Sequence, residues 1–325
     1  MKVIVIGLGS MGKRRIRLLR QDRAELEILG VDAMEARREE ARQEYGITVY
    51  ASLDEAFQQG ADAALICTSP LSHAGLIRSC LEHDLHVFSE INLVSDGYEE
   101  NQKLAAEKGK VLFLSSTFLY RKETQYIISR VGESSSALTY LYHIGQYLPD
   151  WHPWESIQNY FIGDKRTNGC REILAIELPW IVSCFGPVKD VQVRRSKDTA
   201  LPIDYNDNIL LDITHESGTK GVLAVDVVCR KAVRRFEVYG EDLYLSWNGT
   251  PDSLSDYDIE TKKDRPVPFF EEVAHEAGYA AFIAETPYRE ELRAFLHQVE
   301  HPDTVPVWDF ARDTAILNLI DEMEV

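Results

Sequence analysis

The chain opens with the residues whose spacing most directly specifies chemistry. Gly7-Leu8-Gly9-Ser10-Met11-Gly12 has the pattern G-x-G-x-x-G, and an acid, Asp32, lies twenty residues beyond its third glycine. Gly7 permits a tight turn, Gly9 lets the backbone approach a pyrophosphate, and Gly12 allows close packing of the next helix on the strand. The first turn of that helix would offer N–H groups and a positive dipole end to phosphates. Asp32 would accept hydrogen bonds from the adenosine ribose hydroxyls and repel a 2′-phosphate. Ala33 and Met34 supply no base to offset it, so NAD is expected over NADP, with Arg37 and Arg38 further along as the residues that could change the preference. The competing reading is a doubly wound domain whose first turn binds nothing.

These residues need a strand, a turn, a helix and a second strand to position them, and the sequence has all four. Lys2–Ile6 is an apolar run of buried-strand type, Lys13–Arg20 is helix-compatible, and Leu26–Val31 is a second apolar run ending at Asp32. The alternation continues with a strand at Ala61–Cys67, a helix at Leu71–His83, a strand at His86–Ser89, a helix at Tyr98–Lys108 and a strand at Val111–Leu114. That is βαβ repetition with a parallel sheet. From about Ala137 the rhythm becomes period two, at Leu138–Ile144, Val188–Arg194, Ile209–Thr214, Gly221–Val228 and Arg235–Tyr239. Short connections between such runs predict an antiparallel sheet. Helices are expected at Arg171–Cys184, stopped by Gly186-Pro187, and at Pro287–Glu300. The expected fold is therefore α/β: a Rossmann domain over 1–118, then an α+β domain over 119–325 with a large, open, mostly antiparallel sheet.

Composition bounds the partners. The 325 residues are 45% hydrophobic and carry 35 Lys plus Arg against 53 Asp plus Glu, a net charge of −18. So acidic a chain makes nucleic acid or an anionic membrane an unsuitable partner. The basic cluster Lys13, Arg14, Arg15, Arg17 and Arg20 reads as a solvated helix face with one arginine near the pyrophosphate. Five cysteines, widely spaced and without C-x-x-C, indicate neither a disulfide framework nor a zinc site, and no metal is expected. A strand from residue 2 leaves no room for a signal peptide, and no apolar run spans a bilayer, so a cytoplasmic location is expected.

The chain resembles the glucose–fructose oxidoreductase / inositol dehydrogenase / MocA family over nearly its whole length. Cys67-Thr68-Ser69-Pro70-Leu71-Ser72-His73 is similar to that family's T-x-P-x-x-H loop, Leu81–Val87 to its A-L-E-x-G-K-H-V segment, and Glu291–Glu322 to its closing helices. The resemblance implies that Thr68, Ser69, Pro70 and His73 line the cofactor with the glycine loop, and that Glu90 belongs on the same side. It also implies a homodimer or homotetramer through the open sheet.

Two departures concern the family's chemistry. Where the family has Glu-Lys-Pro, this chain has Glu90-Ile91-Asn92. Where the family's central helix reads D-x-G-x-H-x-x-D, Glu172 falls at the first acid, Ile176 at the histidine and Pro179 at the last acid. Isoleucine neither donates nor accepts a proton, so the family's lysine–histidine mechanism cannot operate. Losing the proline also removes the cheap route to a cis peptide.

Hydride transfer at a carbinol carbon still requires a group that exchanges the hydroxyl proton. Glu172, His152 and Tyr120 are the catalytic candidates; Arg121, Trp151, Trp154 and Lys165 are the substrate-binding ones. Glu177 lies five residues from Glu172, about 140° round the helix, and would not share its pocket. The ordinary alternative for Glu172 is a partner for Arg171 or a solvent charge. Tyr147-Leu148-Pro149-Asp150-Trp151-His152-Pro153-Trp154-Glu155 gathers aromatic and polar groups suited to stacking on a sugar ring, and resembles loops of family members from surface-sugar biosynthesis. Its alternative is an aromatic loop pinned into a domain interface. Asp150, His152 and Glu155 lack metal-ligand spacing. His297 and His301 read as decorating a helix end, and His143 as a satisfied core or sheet-face residue.

The sequence thus points to an NAD-dependent oxidoreductase acting on a sugar, sugar acid, cyclitol or sugar nucleotide, with a substituted acid/base. Two alternatives stand beside it: a redox-neutral enzyme that recycles tightly bound NAD, and a catalytically impaired cofactor-binding relative serving as sensor or subunit.

Overall fold

The computed structural model describes residues 1–153, 155–269 and 284–324. The chain forms two compact units, Met1–Thr117 with Tyr288–Leu317 and Phe118–Pro287 with Asn318–Val325. The return of Tyr288–Leu317 to the first unit departs from the expected single cut near residue 118.

The first unit runs β1 (Lys2–Ile6), α1 (Ser10–Asp22), β2 (Glu27–Val31), α2 (Glu35–Tyr45), β3 (Thr48–Tyr50), α3 (Leu53–Phe57), β4 (Ala63–Ile66), α4 (His73–Glu82), β5 (His86–Ser89), α5 (Tyr98–Lys108) and β6 (Leu112–Leu114). Its six strands are all parallel, in the order β3-β2-β1-β4-β5-β6. Val3–Ile6 and Ala63–Ile66 are buried throughout, as strands covered on both faces must be. The strand order reverses between β1 and β4, and the crevice at their C-terminal ends is where open α/β sheets bind ligands.

The second unit begins with α6 (Lys122–Glu133) and β7 (Thr139–Gly145), followed by α7 (Gly169–Phe185), β8 (Val188–Ser196), β9 (Asn208–His215), β10 (Lys220–Asp226), β11 (Val233–Tyr239), β12 (Tyr244–Trp247), β13 (Ser255–Asp258) and β14 (Lys263–Pro266). Its sheet has the order β14-β13-β12-β11-β7-β10-β9-β8. All neighbours are antiparallel except β7 and β10, which are parallel because α7 and the β8–β9 hairpin intervene between them. One face carries Tyr140, Tyr142 and Phe236 against Trp180 and Phe185 of α7. The other face leaves Leu141, Leu210 and Val222 exposed. The sequence reading anticipated neither α6 nor β12–β14.

Two helices close the chain, α8 (Glu285–Glu300) and α9 (Phe310–Glu324). Phe295 of α8 meets Phe88 and Phe113 edge-on at 5.6 and 5.8 Å, completing the first unit's core. The solvated basic face expected on α1 is a correction. Arg14 and Arg15 are buried, Arg14 over the Tyr288 ring at 4.5 Å and Arg15 between two carboxylates.

Candidate functional site

The turn from β1 into α1 is dictated by Gly7 and Gly12. Gly7 has φ +90°, and a Cβ there would lie 2.7 Å from the Cys67 carbonyl oxygen; one on Gly12 would lie 1.9 Å from the Gly7 oxygen. Gly9, by contrast, meets nothing nearer than Arg37 at 3.8 Å. Packing does not demand a glycine there, whereas a closely approaching ligand would. No acidic side chain in the first turn of α1 competes with a diphosphate for the positive helix end. Ser10 is exposed and Met11 half-buried at the mouth of this turn, while Leu8 is buried beneath it.

Asp32 follows β2, and its carboxylate is held by the loop it serves. Oδ2 accepts the Leu8 N–H and Oδ1 the Met34 N–H, both at 2.8 Å. Arg38 donates to the carbonyls of Asp32 and Ala33 at 2.7 and 2.8 Å. Arg37 is half-exposed with Nη1 3.7 Å from Asp32 Oδ2. The turn therefore has both a carboxylate and a guanidinium beside it. Bare Gly9, the helix terminus and Asp32 together fit a nicotinamide dinucleotide.

The loop after β4 places Thr68 and Ser69 at the surface near this turn, with Thr68 Oγ1 2.7 Å from Ser72 Oγ and Pro70 buried. His73 begins α4. It is buried, Nε2 donates to the Thr68 carbonyl at 3.0 Å, and Nδ1 meets the Asn92 amide at 2.6 Å. Burial holds its pKa below the ordinary value, and the ring pins the loop. Asn92, at the family's proline position, is thus a positioning partner for His73.

The Glu90 carboxylate is tied to α1 within the first unit. It takes a fork from Arg15, Nε at 2.6 Å and Nη2 at 3.1 Å. Arg15 Nη2 also donates to Glu291 of α8 at 2.7 Å, and Glu291 Oε1 accepts the Ser116 N–H at 2.6 Å and Ser115 Oγ at 3.0 Å. Ile91 is half-buried and offers no proton.

In the second unit, α7 starts at a capped end. Asn168 accepts the Arg171 N–H at 2.8 Å, and Arg171 pairs with Asp321 and Glu324 of α9, each at 2.7 Å. Arg171 is therefore committed elsewhere, and Glu172 is not its partner. The Glu172 Oε2 is buried without a hydrogen bond, and burial pushes its carboxyl up to about 7. Such a group is poised to exchange a proton near neutrality.

Several other buried polar atoms without partners share this unit: Trp151 Nε1, Tyr160 Oη and Tyr205 Oη. Burial raises the Tyr160 pKa, and the neighbouring Glu172, Tyr205 and Glu155 add to it. His152 stacks on Tyr160 at 4.5 Å, and its Nδ1 lies 3.5 Å from Glu155. Tyr205 also lines a cavity of about 310 Å³ with Lys165, Asn168, Lys197, Asn206 and Glu324. The structure thus brings Glu172 and His152 toward Tyr160 and Tyr205, two tyrosines that sequence reasoning missed. Tyr160 and Tyr205 lie in irregular segments whose folding back to α7 has no periodic signature.

The remaining candidates fare differently. Tyr120 is buried at the end of a short 3-10 turn, Thr117–Tyr120. Arg121 is buried, donates to Glu123 at 2.7 Å and the Gly249 carbonyl at 3.0 Å, and lies over the Trp247 ring. Lys165 is exposed at the cavity. Trp154 lies outside the described residues. Ile176 is half-buried, and Glu177 is enclosed by Arg234, Tyr142 and Trp180.

Comparison with known proteins agrees with this geometry. UDP-N-acetylglucosamine 3-dehydrogenase GnnA from Acidithiobacillus ferrooxidans has a similar fold, at TM-score 0.75 and 18% identity, covering 100% of this chain and 96% of that one. The WlbA dehydrogenase from Bordetella pertussis, solved with NADH and UDP-GlcNAcA, gives 0.75 and 16%, covering 99% and 95%. Biliverdin reductase from Synechocystis sp., solved with biliverdin and NADP+, gives 0.74 and 19%, covering 99% and 97%. No curated protein sequence matches the chain. The first unit's sheet order, glycine turn and acid define a Rossmann fold of dinucleotide-binding type. Residues 1–116 match the family model GFO_IDH_MocA, described as an oxidoreductase family with an NAD-binding Rossmann fold. Its cofactor class is NAD(P).

Proposed function

We propose that the protein is an NAD-dependent oxidoreductase that moves a hydride to or from a carbinol carbon of a carbohydrate-type substrate: a sugar, sugar acid, cyclitol or sugar nucleotide. Glu172 is its acid/base. The observation that carries this reading is the Glu172 carboxyl, raised to about 7 by burial and with one oxygen lacking a partner. The nicotinamide, when bound, supplies the hydride acceptor or donor. Glu172 takes the hydroxyl proton on oxidation and returns it on reduction, in place of the absent lysine and histidine. Trp151 and His152 offer faces for a sugar ring, and the Tyr160 and Tyr205 hydroxyls offer hydrogen bonds to its substituents. The carbohydrate class is supported by the aromatic loop and by the sugar nucleotides in the names of two structural neighbours.

NAD is preferred over NADP because the Asp32 carboxylate would face a 2′-phosphate. A homodimer or homotetramer through the exposed Leu141, Leu210 and Val222 face completes the proposal.

The test is a substrate panel of UDP-sugars, sugar acids and cyclitols with NAD, read by absorbance of NADH, followed by Glu172→Gln. We expect stoichiometric NADH with one class, a kcat lowered about 10²–10⁴-fold in the variant, and loss of the pH–rate limb near 7. An unchanged profile in the variant removes Glu172 from the mechanism. The apolar Ile91 and Ile176 favour a second reading, a cofactor-binding relative without this chemistry. It predicts tight NAD binding and no turnover across the panel, whereas a redox-neutral enzyme turns over without net NADH.

A further inference from the structure

We propose that His143, Asp226 and Cys229 form a binding site for a zinc-class divalent cation, a site used by no step of the proposed reaction. The parallel pairing of β7 and β10 brings the three together, setting Ala224 opposite His143 and Asp226 opposite Gly145. His143 Nε2 lies 2.7 Å from Asp226 Oδ2, and one ligand atom from each of the three residues lies within 4.8 Å of the others.

The surrounding backbone is shaped for this convergence. Asp226 Oδ1 accepts the Val228 and Cys229 N–H groups at 3.0 and 2.7 Å, which turns the chain back and leaves Oδ2 directed at His143. A Cβ on Gly145 would sit 2.5 Å from Oδ2, so the glycine is what leaves room at that oxygen. The His143 side chain is 41% exposed, which gives an ion an entry path. The Cys229 thiol donates to the Lys231 carbonyl at 3.0 Å and turns from it to reach the ion.

Thiolate, imidazole and carboxylate together suit zinc, whereas magnesium and calcium prefer oxygen-only sets. On binding, the imidazole proton moves from Nε2 to Nδ1 and the Cys229 thiol proton passes to solvent. The Nε2–Oδ2 separation opens to about 3.3 Å around a tetrahedral ion. The fourth position holds water. The Gln146 and Leu148 N–H groups donate to the Asp226 and Val227 carbonyls at 3.3 and 2.9 Å, so the ion would anchor the base of the loop carrying Trp151 and His152. Ligands 83 residues apart have no sequence spacing that announces them.

The experiment uses full-length protein stripped of metal by a chelator. Zinc is titrated in competition with a chromophoric zinc indicator, and cobalt is added separately to read thiolate-to-cobalt charge transfer. We expect one equivalent of zinc, affinity reduced about tenfold or more in Cys229→Ser and in His143→Gln, and a charge-transfer band that Cys229→Ser abolishes. Circular dichroism establishes that both variants fold. The proposal is overturned if the protein takes no zinc from the indicator, if folded variants bind as the wild type does, or if cobalt gives no thiolate band.

Discussion

Burial has opposite consequences for a carboxyl and an imidazole in this protein. Glu172 is held protonated to about 7, so ionising it opposes the folded state as pH rises from the ordinary carboxyl range through neutrality. His73 is shifted the other way. Its folded pKa lies below the unfolded value of about 6.5, so the unfolded chain binds the extra proton first and stability is lost as pH falls through that window. His86 and His215 are displaced in the same direction. The stability difference between the wild type and His73→Gln, measured by urea unfolding, should shrink as pH falls from 7 toward 5; a constant difference would show that His73 does not titrate there. At the cofactor, Asp32→Ala should raise KM for NAD and lower that for NADP, with Arg37 then beside the 2′-phosphate. Initial rates with both cofactors would show this, and an unchanged ratio would remove Asp32 from discrimination. Gly7, Gly9, Gly12 and Asp32 were legible because their jobs are local. His73 was not, because its partner Asn92 sits on another strand's exit and neither residue signals the other.

At the scale of elements, α1 is fastened to the strand ends and to α8 through Arg15. Its guanidinium joins two carboxylates, and Glu291 in turn collects donors from Ser115 and Ser116. Removing the shared cation leaves two buried acids facing each other, so Arg15→Met should destabilise the protein by about 3–5 kcal/mol. Arg23→Met, which breaks the exposed pair with Glu300, should change stability by less than about 1 kcal/mol. Thermal or urea unfolding of the two variants checks the contrast, and equal effects would contradict it. Strands with clean alternation, such as β7, β9 and β10, could be read in advance. The β13 and β14 strands, Ser-Asp-Tyr-Asp and Lys-Asp-Arg-Pro, could not, since short strands rich in charge have no apolar period. The orientation of β10 escaped for another reason: alternation sets which face a residue occupies, not the direction of its neighbour.

For the whole molecule, a charge of −18 discourages association with polyanions, and no described helix is long and apolar enough to cross a membrane. Self-association is the expected use of the exposed Leu141, Leu210 and Val222, and Val222→Arg should shift the protein toward monomer in light scattering; an unaltered mass would place the interface elsewhere. The doubly wound architecture was visible from βαβ repetition, but the return of Tyr288–Leu317 was not, because an amphipathic helix does not declare which core it completes. That return also sets a timetable for biosynthesis. A ribosome that has finished the sixth strand has not yet made Glu291 or Phe295, and at about 5–20 residues per second it reaches them roughly ten to thirty-five seconds later. Until then the nascent domain holds Arg15 with one of its two acids and an open gap beside Phe88 and Phe113. Its completion must wait for the far end of the message.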